Sequence, residues 1–563
     1  MSRGPSSRST IVISAVSQGS VLRPRVAFAV LFLALCLRAS GIGFDIALDQ
    51  GGVGAWIGGW KGADLLWPAL HSEGEGGTPL HHLILTAINS LCFGIAKLIG
   101  VANELDFRAF LDTAPALRIL VARSVSVVTA TGTVWALIRF GPDLAGGFTP
   151  ALLAAGFLAI APLHVRLAHY GTPDALFTLL ATGALLAIVR VAEGGSRRTH
   201  IWAGLLTGSA LAESNLAIPL IPIYLWASAH GRRRPLPALL GLASGATAFA
   251  AIELISSVAA PLESPPMATQ LAPPQELGWG FLILAGVGLA SLARTKPRTA
   301  LLGALWLAGT LIMTTSFGAA PQLALVSVAP LLLLLAARGC TAPFQRFRPR
   351  RALAATALAA LVPAAELMPA LAKLHRIYHT PDSRTVAAQW IADILPPGFT
   401  VTVEAETQPK QESASTAAFD ILISEEARAP SRPAADPTLI AHFPSIPGSP
   451  QNHHPEIRVH HISDPPPRRG SDPDGYYPFD GGASYIMQIP ADVPSNGPER
   501  HGVSTLALLE NGVPLGPAHQ GHDAIRRQGK GRYSHWKGRV FFSSSDGSNP
   551  NTNGYDYTWI EMK

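Results

Sequence analysis

The chain is short of charge. Only 14% of its 563 residues are Asp, Glu, Lys or Arg, while 48% are hydrophobic. Soluble proteins carry roughly 25% charged residues, so an ordinary soluble globular protein is a poor fit. Cysteine is scarce too. Cys36, Cys92 and Cys340 are scattered and the C-terminal part has none, which excludes a disulfide framework and a CxxC pair. His164 and His169 occur close together, but nothing around them has the spacing of metal ligands, and no metal is expected. The net charge of +6 does not point to nucleic acid. The basic residues sit in short segments between apolar blocks, where the excess of Lys and Arg in cytoplasmic loops accounts for them.

What the chain has in abundance is long apolar runs. Mean hydropathy is +0.28. Up to about residue 372 the apolar residues form blocks of roughly 15–22, the length at which a helix crosses hydrocarbon. Beyond that the sequence turns polar and rich in Pro, Gly, Asn and His. The expectation is a mainly α, polytopic membrane helical bundle over 1–372, followed by a polar tail. The basic N-terminal segment (Arg3, Arg8, Arg23, Arg25) leads into Val26–Leu37 without a clean small-residue cleavage site. It reads as an uncleaved first span.

Basic clusters set the expected topology. They lie at Arg23/Arg25, Arg190/Arg197/Arg198, Arg232–Arg234, Arg294/Lys296/Arg298 and Arg338–Arg351, all cytoplasmic by the positive-inside rule. Parity then requires one of the five apolar blocks before Arg190 not to cross. The block 82–100 is chosen, because it holds Asn89, Ser90, Gly94 and Lys97 and is followed by Glu104, Asp106 and Asp112. It reads as an interfacial or re-entrant helix. About eleven spans result on this rule. The N-terminus is cytoplasmic and the tail extracytoplasmic, in an inner (plasma) membrane. Residues 200–214 and 216–230 are short for spans and are separated by Glu213-Ser214-Asn215, as in broken helices that line a cavity.

Two acidic clusters share the outer face in this topology. Asp45 and Asp49 follow the first span. Pro162-Leu163-His164-Val165-Arg166-Leu167-Ala168-His169-Tyr170-Gly171-Thr172-Pro173-Asp174 lies between two later ones. Ionisable residues at the edge of hydrocarbon are costly and mark functional sites.

These residues carry a resemblance. Gly43-Phe44-Asp45, Thr78-Pro79-Leu80-His81-His82, Leu117-Arg118 through Val134 with Arg123, Ala161 through Asp174, and the stretches Asp382–Ile391 and Phe419–Leu422 resemble the polytopic GT-C glycosyltransferases. The branch is that of protein mannosyltransferases and lipid A aminoarabinosyltransferases. The chain departs from that pattern in two places. Ile46 follows Asp45 where the family usually has an Asp-Glu pair, and Glu213-Ser214-Asn215 stands where many members have a Lys.

The resemblance implies transfer of a sugar from a polyprenyl-phosphate donor to an extracytoplasmic acceptor, without a cofactor. The acceptor is left open: lipid, glycan or protein. Such transfer needs a base for the acceptor hydroxyl, which a carboxylate near the apolar boundary can supply. Asp45 is the first choice, with Asp49 one helical turn on and Asp174 as the third catalytic candidate. The leaving phosphate calls for cationic donors, here Arg118, Arg123, Arg166 and His169. The plainer alternatives are helix capping for the acids and headgroup snorkelling for the arginines. Trp56, Trp60 and Trp67 suit interfacial anchoring.

The tail divides on composition into an α/β unit over 373–430, a Pro-rich linker over 431–475 and an all-β module over 476–563. The last resembles a module appended to bacterial glycan and methyl-transfer proteins. Trp536, Tyr533 and His535, if exposed, would suit sugar contact. Two other readings share the fold: a transporter of lipid-linked sugar, or an inactive membrane scaffold with a glycan-binding tail.

Overall fold

The computed structural model describes residues 8–43, 79–101, 115–230, 235–258, 278–317, 321–380, 383–394, 401–405, 421–426, 439–444, 456–461, 468–472, 475–497 and 504–561. They fall into two units, divided between His379 and Thr380.

The first unit is helical. Its elements are α1 (Arg8–Ala39), α2 (Pro79–Leu98), α3 (Pro115–Phe140), α4 (Pro142–Ala145), α5 (Phe148–Ile160), α6 (Pro162–Tyr170), α7 (Asp174–Ala192), α8 (Arg197–Glu213), α9 (Leu220–His230), α10 (Pro235–Val258), α11 (Trp279–Thr295), α12 (Pro297–Phe317), α13 (Pro321–Thr341) and α14 (Pro349–His379). Proline opens many of these helices. It has no N–H to leave unpaired there, and its fixed φ suits the first turn.

Among the described residues five helices are long and apolar enough to cross a membrane: Leu120–Phe140, Asp174–Ala192, Pro297–Thr315, Leu323–Phe344 and Arg350–His379. The pair α5–α6, bent by 55°, makes a sixth if it is one crossing. Apolar side chains face outward, among them Phe28 and Phe32 on α1, Ile283 on α11 and Leu358 and Leu361 on α14. Water would penalise such faces and lipid does not. The protein is a multi-pass membrane protein. The apolar part of α2, Leu83–Leu98, is shorter than a span.

The bundle core lies on α5, α7 and α13, where Ala154, Ala155, Ala184, Ile188 and Ala336 are fully buried. Small residues let helices touch. A Cβ on Gly204 would sit 1.8 Å from the Gly241 carbonyl oxygen, and one on Gly208 2.1 Å from that of Gly245. Helices α8 and α10 therefore run parallel, glycine stripe against glycine stripe. As expected, the chain breaks after Glu213. Ser214 is extended, and its hydroxyl accepts from the Leu216 N–H.

The two ends of the bundle differ in charge. At one end Arg190 pairs with Asp143, Lys296 with Glu193 at 2.6 Å, and Arg338 donates to the Ala145 carbonyl at 2.9 Å. Arg190 lies in the last turn of α7, which starts at Asp174. The two are about 24 Å apart along the axis at 1.5 Å per residue. Helix α8 returns from Arg197 to Glu213. Asp174 and Glu213 thus share the end away from the basic network.

The second unit starts with α15 (Ser383–Ile394) and a four-stranded sheet in the order β1-β2-β4-β3, built from β1 (Val401–Ala405), β2 (Ile421–Glu426), β3 (Leu439–Phe443) and β4 (Glu456–His461). The β1–β2 pair is parallel and the others antiparallel. Two further sheets follow, β10-β11-β7-β6 and β5-β12-β8-β9. Their strands are β5 (Arg468–Ser471), β6 (Phe479–Gly481), β7 (Ser484–Gln488), β8 (Leu506–Glu510), β9 (Val513–Pro514), β10 (Tyr533–Trp536), β11 (Arg539–Phe542) and β12 (Tyr557–Glu561). Helix α16 (His522–Gln528) lies between β9 and β10 in sequence. One core joins Trp390, Ile457, Leu508, Val540 and Trp559.

The stretch 431–475, expected as a linker, carries β3, β4 and β5. Its apolar pairs are too short to stand out among Pro and Ser, yet Ile457 and Val459 are fully buried. Tyr533 and His535, proposed as exposed sugar contacts, are each 1% exposed and belong to the interior. The Asn-rich loop closes on itself. Asp546 accepts from Ser548 and Tyr555, and Asn551 exchanges hydrogen bonds with the Tyr477 backbone.

Candidate active site

Helix α6 exists because Ala161 is extended and Pro162 restarts the helix. The residue before a proline avoids the helical region, and the proline removes one backbone donor. The last carbonyls of α5 then lack their usual helical partners, and Leu158 O keeps only the Ala161 N–H at 3.4 Å. Arg38 supplies them from α1. Its guanidinium donates to Leu158 O at 2.9 Å, Ala159 O at 3.1 Å and Ala34 O at 2.9 Å. It also donates to His164 Nδ1 at 2.9 Å. Both side chains are buried.

One turn further along α6, His169 is fully buried. Its Nδ1 meets the Val165 carbonyl at 2.9 Å and its Nε2 meets the Ser40 carbonyl at 2.7 Å. The ring stacks on Tyr378 of α14, with centroids 4.0 Å apart and planes 10° off parallel. Arg123 of α3, 3% exposed, donates to the Ile42 carbonyl at 2.8 Å. Gly41 has φ +76, and a Cβ there would lie 2.8 Å from the Tyr378 Cβ. Only glycine meets both demands without strain.

Gly171 ends α6 in the left-handed conformation and packs against Ala122 and the Arg123 backbone. The Ser126 hydroxyl donates to Thr172 O at 3.1 Å, and the Thr172 hydroxyl donates to Asp174 Oδ2 at 3.2 Å. Asp174, half-buried, is the first residue of α7, where the helix dipole favours a negative charge.

Helix α2 joins this end through His81. Its Nε2 donates to Gly171 O at 3.1 Å, and its backbone N–H donates to Glu213 Oε2 at 3.4 Å. Glu213 is 4% exposed, and its Oε1 has no partner among the described residues.

The fold thus gathers Arg123, Arg166, His169 and Asp174 at one end of the bundle. Arg166 is half-buried on α6. Arg118 lies on α3, with its side chain outside the described residues. Asp45, Asp49, Trp56, Trp60 and Trp67 also lie outside them. Arg38, His164 and Glu213 join the cluster without having been assigned a role from sequence. The signal was present for two of them: Arg38 is a charge inside an apolar block, and Glu213 sits at a break in a short one.

Residues 110–255 match the family model of dolichyl-phosphate-mannose-protein mannosyltransferase. The resemblance carried by the motifs is borne out over that segment. It contains Arg118, Arg123, Arg166, His169, Asp174 and Glu213. Among solved structures, the chain is similar to ArnT from Cupriavidus metallidurans. Against its apo crystal structure the identity is 15%, covering 79% of this chain and 98% of that one, with a TM-score of 0.43. Against the structure bound to undecaprenyl phosphate the identity is 14%, covering 70% and 83%, with a TM-score of 0.38. No curated protein sequence matches.

Proposed function

We propose that this protein moves a sugar from a polyprenyl-phosphate donor to an extracytoplasmic acceptor. Asp45 takes the proton of the acceptor hydroxyl. Asp174 and Asp49 assist, and Arg118 and Arg166 offset the charge of the leaving phosphate. The family match over 110–255 supports the reaction class. One observation carries the site: the exit of α1 is tied to α6 and to α3, with Ser40 O on His169 and Ile42 O on Arg123. Asp45 follows Ile42 by three residues. That length of chain reaches at most about 11 Å, which supports reading the two acidic motifs together.

The chemistry follows from placement. A carboxylate at the hydrocarbon edge is partly desolvated, which strengthens it as a base. Arginine meets phosphate with a forked set of donors and stays charged there. The test is purified protein in detergent with a panel of polyprenyl-phosphate sugars. Donor consumption is expected with at least one. Asp45→Asn, which keeps shape and loses basicity, should lower turnover by about 100-fold or more. Failure to consume any donor would remove the transferase reading. Full activity of folded Asp45→Asn would remove the base.

A further inference from the structure

We infer that His169 and Arg123 are a positioning clamp on the exit of α1 rather than ligands of the donor phosphate. The inference rests on the transferase reading for its catalytic consequence, though not for its geometry.

Both nitrogens of His169 face carbonyl oxygens, Val165 O on its own helix and Ser40 O on α1. A carbonyl only accepts, so whichever nitrogen carries a proton donates it to one of these two carbonyls. No N–H of the ring is then left to turn toward a phosphate. Its flat face rests on Tyr378, which fixes the ring plane. Arg123 reaches the same segment from α3, two residues past Ser40, at the Ile42 carbonyl.

Helix α14 holds the segment from a third side. Gly41 lies against Tyr378, and the Ser40 hydroxyl bonds His379 Nε2 at 3.0 Å. Residues 40–42 are thus pinned by α3, α6 and α14. The carbonyls of Ser40 and Ile42, just past the end of α1, meet side chains from other helices. Asp45 begins three residues on. A fixed exit shortens the range of positions open to a residue so close behind it. Reactivity is sensitive to that, since a displacement of about 1 Å can cost about 100-fold in rate.

The proposal is tested with His169→Phe, which keeps a flat ring against Tyr378 but has no donor, and His169→Gln, which restores one. Arg123→Met and Arg123→Lys form the parallel pair. In the clamp reading His169→Phe lowers kcat by about 100-fold with donor KM within about twofold, and His169→Gln recovers about tenfold. A phosphate ligand would instead raise donor KM, and that outcome overturns the clamp.

A second readout does not depend on catalysis. Gly43→Cys is placed in protein with Cys36, Cys92 and Cys340 replaced, where a Cβ at residue 43 meets none of the described residues within 4 Å. Its rate of maleimide labelling should rise at least fivefold when His169→Phe is added. An unchanged rate shows that His169 does not hold the segment. If labelling rises while wild type consumes no donor, the clamp stands and the transferase reading falls.

Discussion

Arg38 holds His164 in one tautomer. A guanidinium has no acceptor, so the His164 Nδ1 that it meets at 2.9 Å must be bare, and the proton sits on Nε2. The same guanidinium closes the carbonyl end of α5 at the 55° bend. A single buried cation thus sets both the angle of α6 and the state of a histidine on it.

Removing that cation should be costly. Arg38→Leu takes this donor from the Leu158 and Ala159 carbonyls, leaving Leu158 O only the Ala161 N–H at 3.4 Å, and a buried group left unsatisfied costs about 1–3 kcal/mol. The detergent-solubilised protein should unfold at lower temperature. Arg38→Lys should recover only part of the loss, because an ammonium lacks the planar fork that spans four acceptors. Equal melting of Arg38→Leu and wild type would show that the bend holds itself.

Glu213 tethers α2 to α8 by accepting at the helix N-terminus, where the backbone dipole favours an anion. Glu213→Gln keeps an acceptor oxygen and should behave nearly as wild type. Glu213→Lys sets a cation against those N–H groups. It should free α2 and increase proteolysis around residue 81. Protection equal to wild type in Glu213→Lys would exclude the tether.

The α8–α10 seam tests the packing. Gly204→Leu drives a side chain into the Gly241 backbone, 1.8 Å from the first added carbon. Overpacking of this kind costs about 1–3 kcal/mol or more. Gly286→Ala on α11 meets nothing within 4 Å and removes a helix-interior glycine, worth up to about 1 kcal/mol in the favourable direction. Thermal unfolding of the two variants should shift in opposite senses.

The second unit should weaken in acid. Burial pushes the His535 imidazole down from 6.5 to about 4, with the charge of His519 adding to it. The Ser504 hydroxyl bonds its Nδ1 at 2.9 Å, and its Nε2 has no partner among the described residues. The folded value lies below the unfolded one, so the unfolded chain takes up the proton first. The stability from a neutral His535 is complete above about pH 6.5, declines as pH falls towards about 4, and is gone below that. Amide exchange of β8 and β10 in the full-length protein should speed up over that window. His535→Gln should flatten the dependence.

Much of the helical unit was legible because it is one-dimensional. An apolar block long enough to span is a helix whatever it packs on, and the break at Glu213-Ser214-Asn215 showed as an interruption in such a block. The polar unit was less legible. The alternating stretches Ser484–Ile489, Arg539–Ser543 and Tyr555–Met562, set between turn residues, contain the strands Ser484–Gln488, Arg539–Phe542 and Tyr557–Glu561. The strands Leu439–Phe443 and Glu456–His461 did not stand out, since Glu456–His461 is placed by pairing with Ile421–Glu426, distant in sequence, and Leu439–Phe443 by pairing with Glu456–His461.

By itself the sequence determined that this chain enters a membrane many times, that its basic segments gather at one end, and that the outer motif ends in Asp174. Those properties follow from hydrophobicity and charge, which act residue by residue. Only the tertiary structure decided what the buried polar groups do. Arg38, Arg123, His169 and Glu213 all read as charges near hydrocarbon. A buried charge must find its hydrogen-bond partners among whatever backbone the fold brings within about 3 Å. In the folded bundle those partners are the carbonyls of α1, α5 and α6 and the first amides of α2.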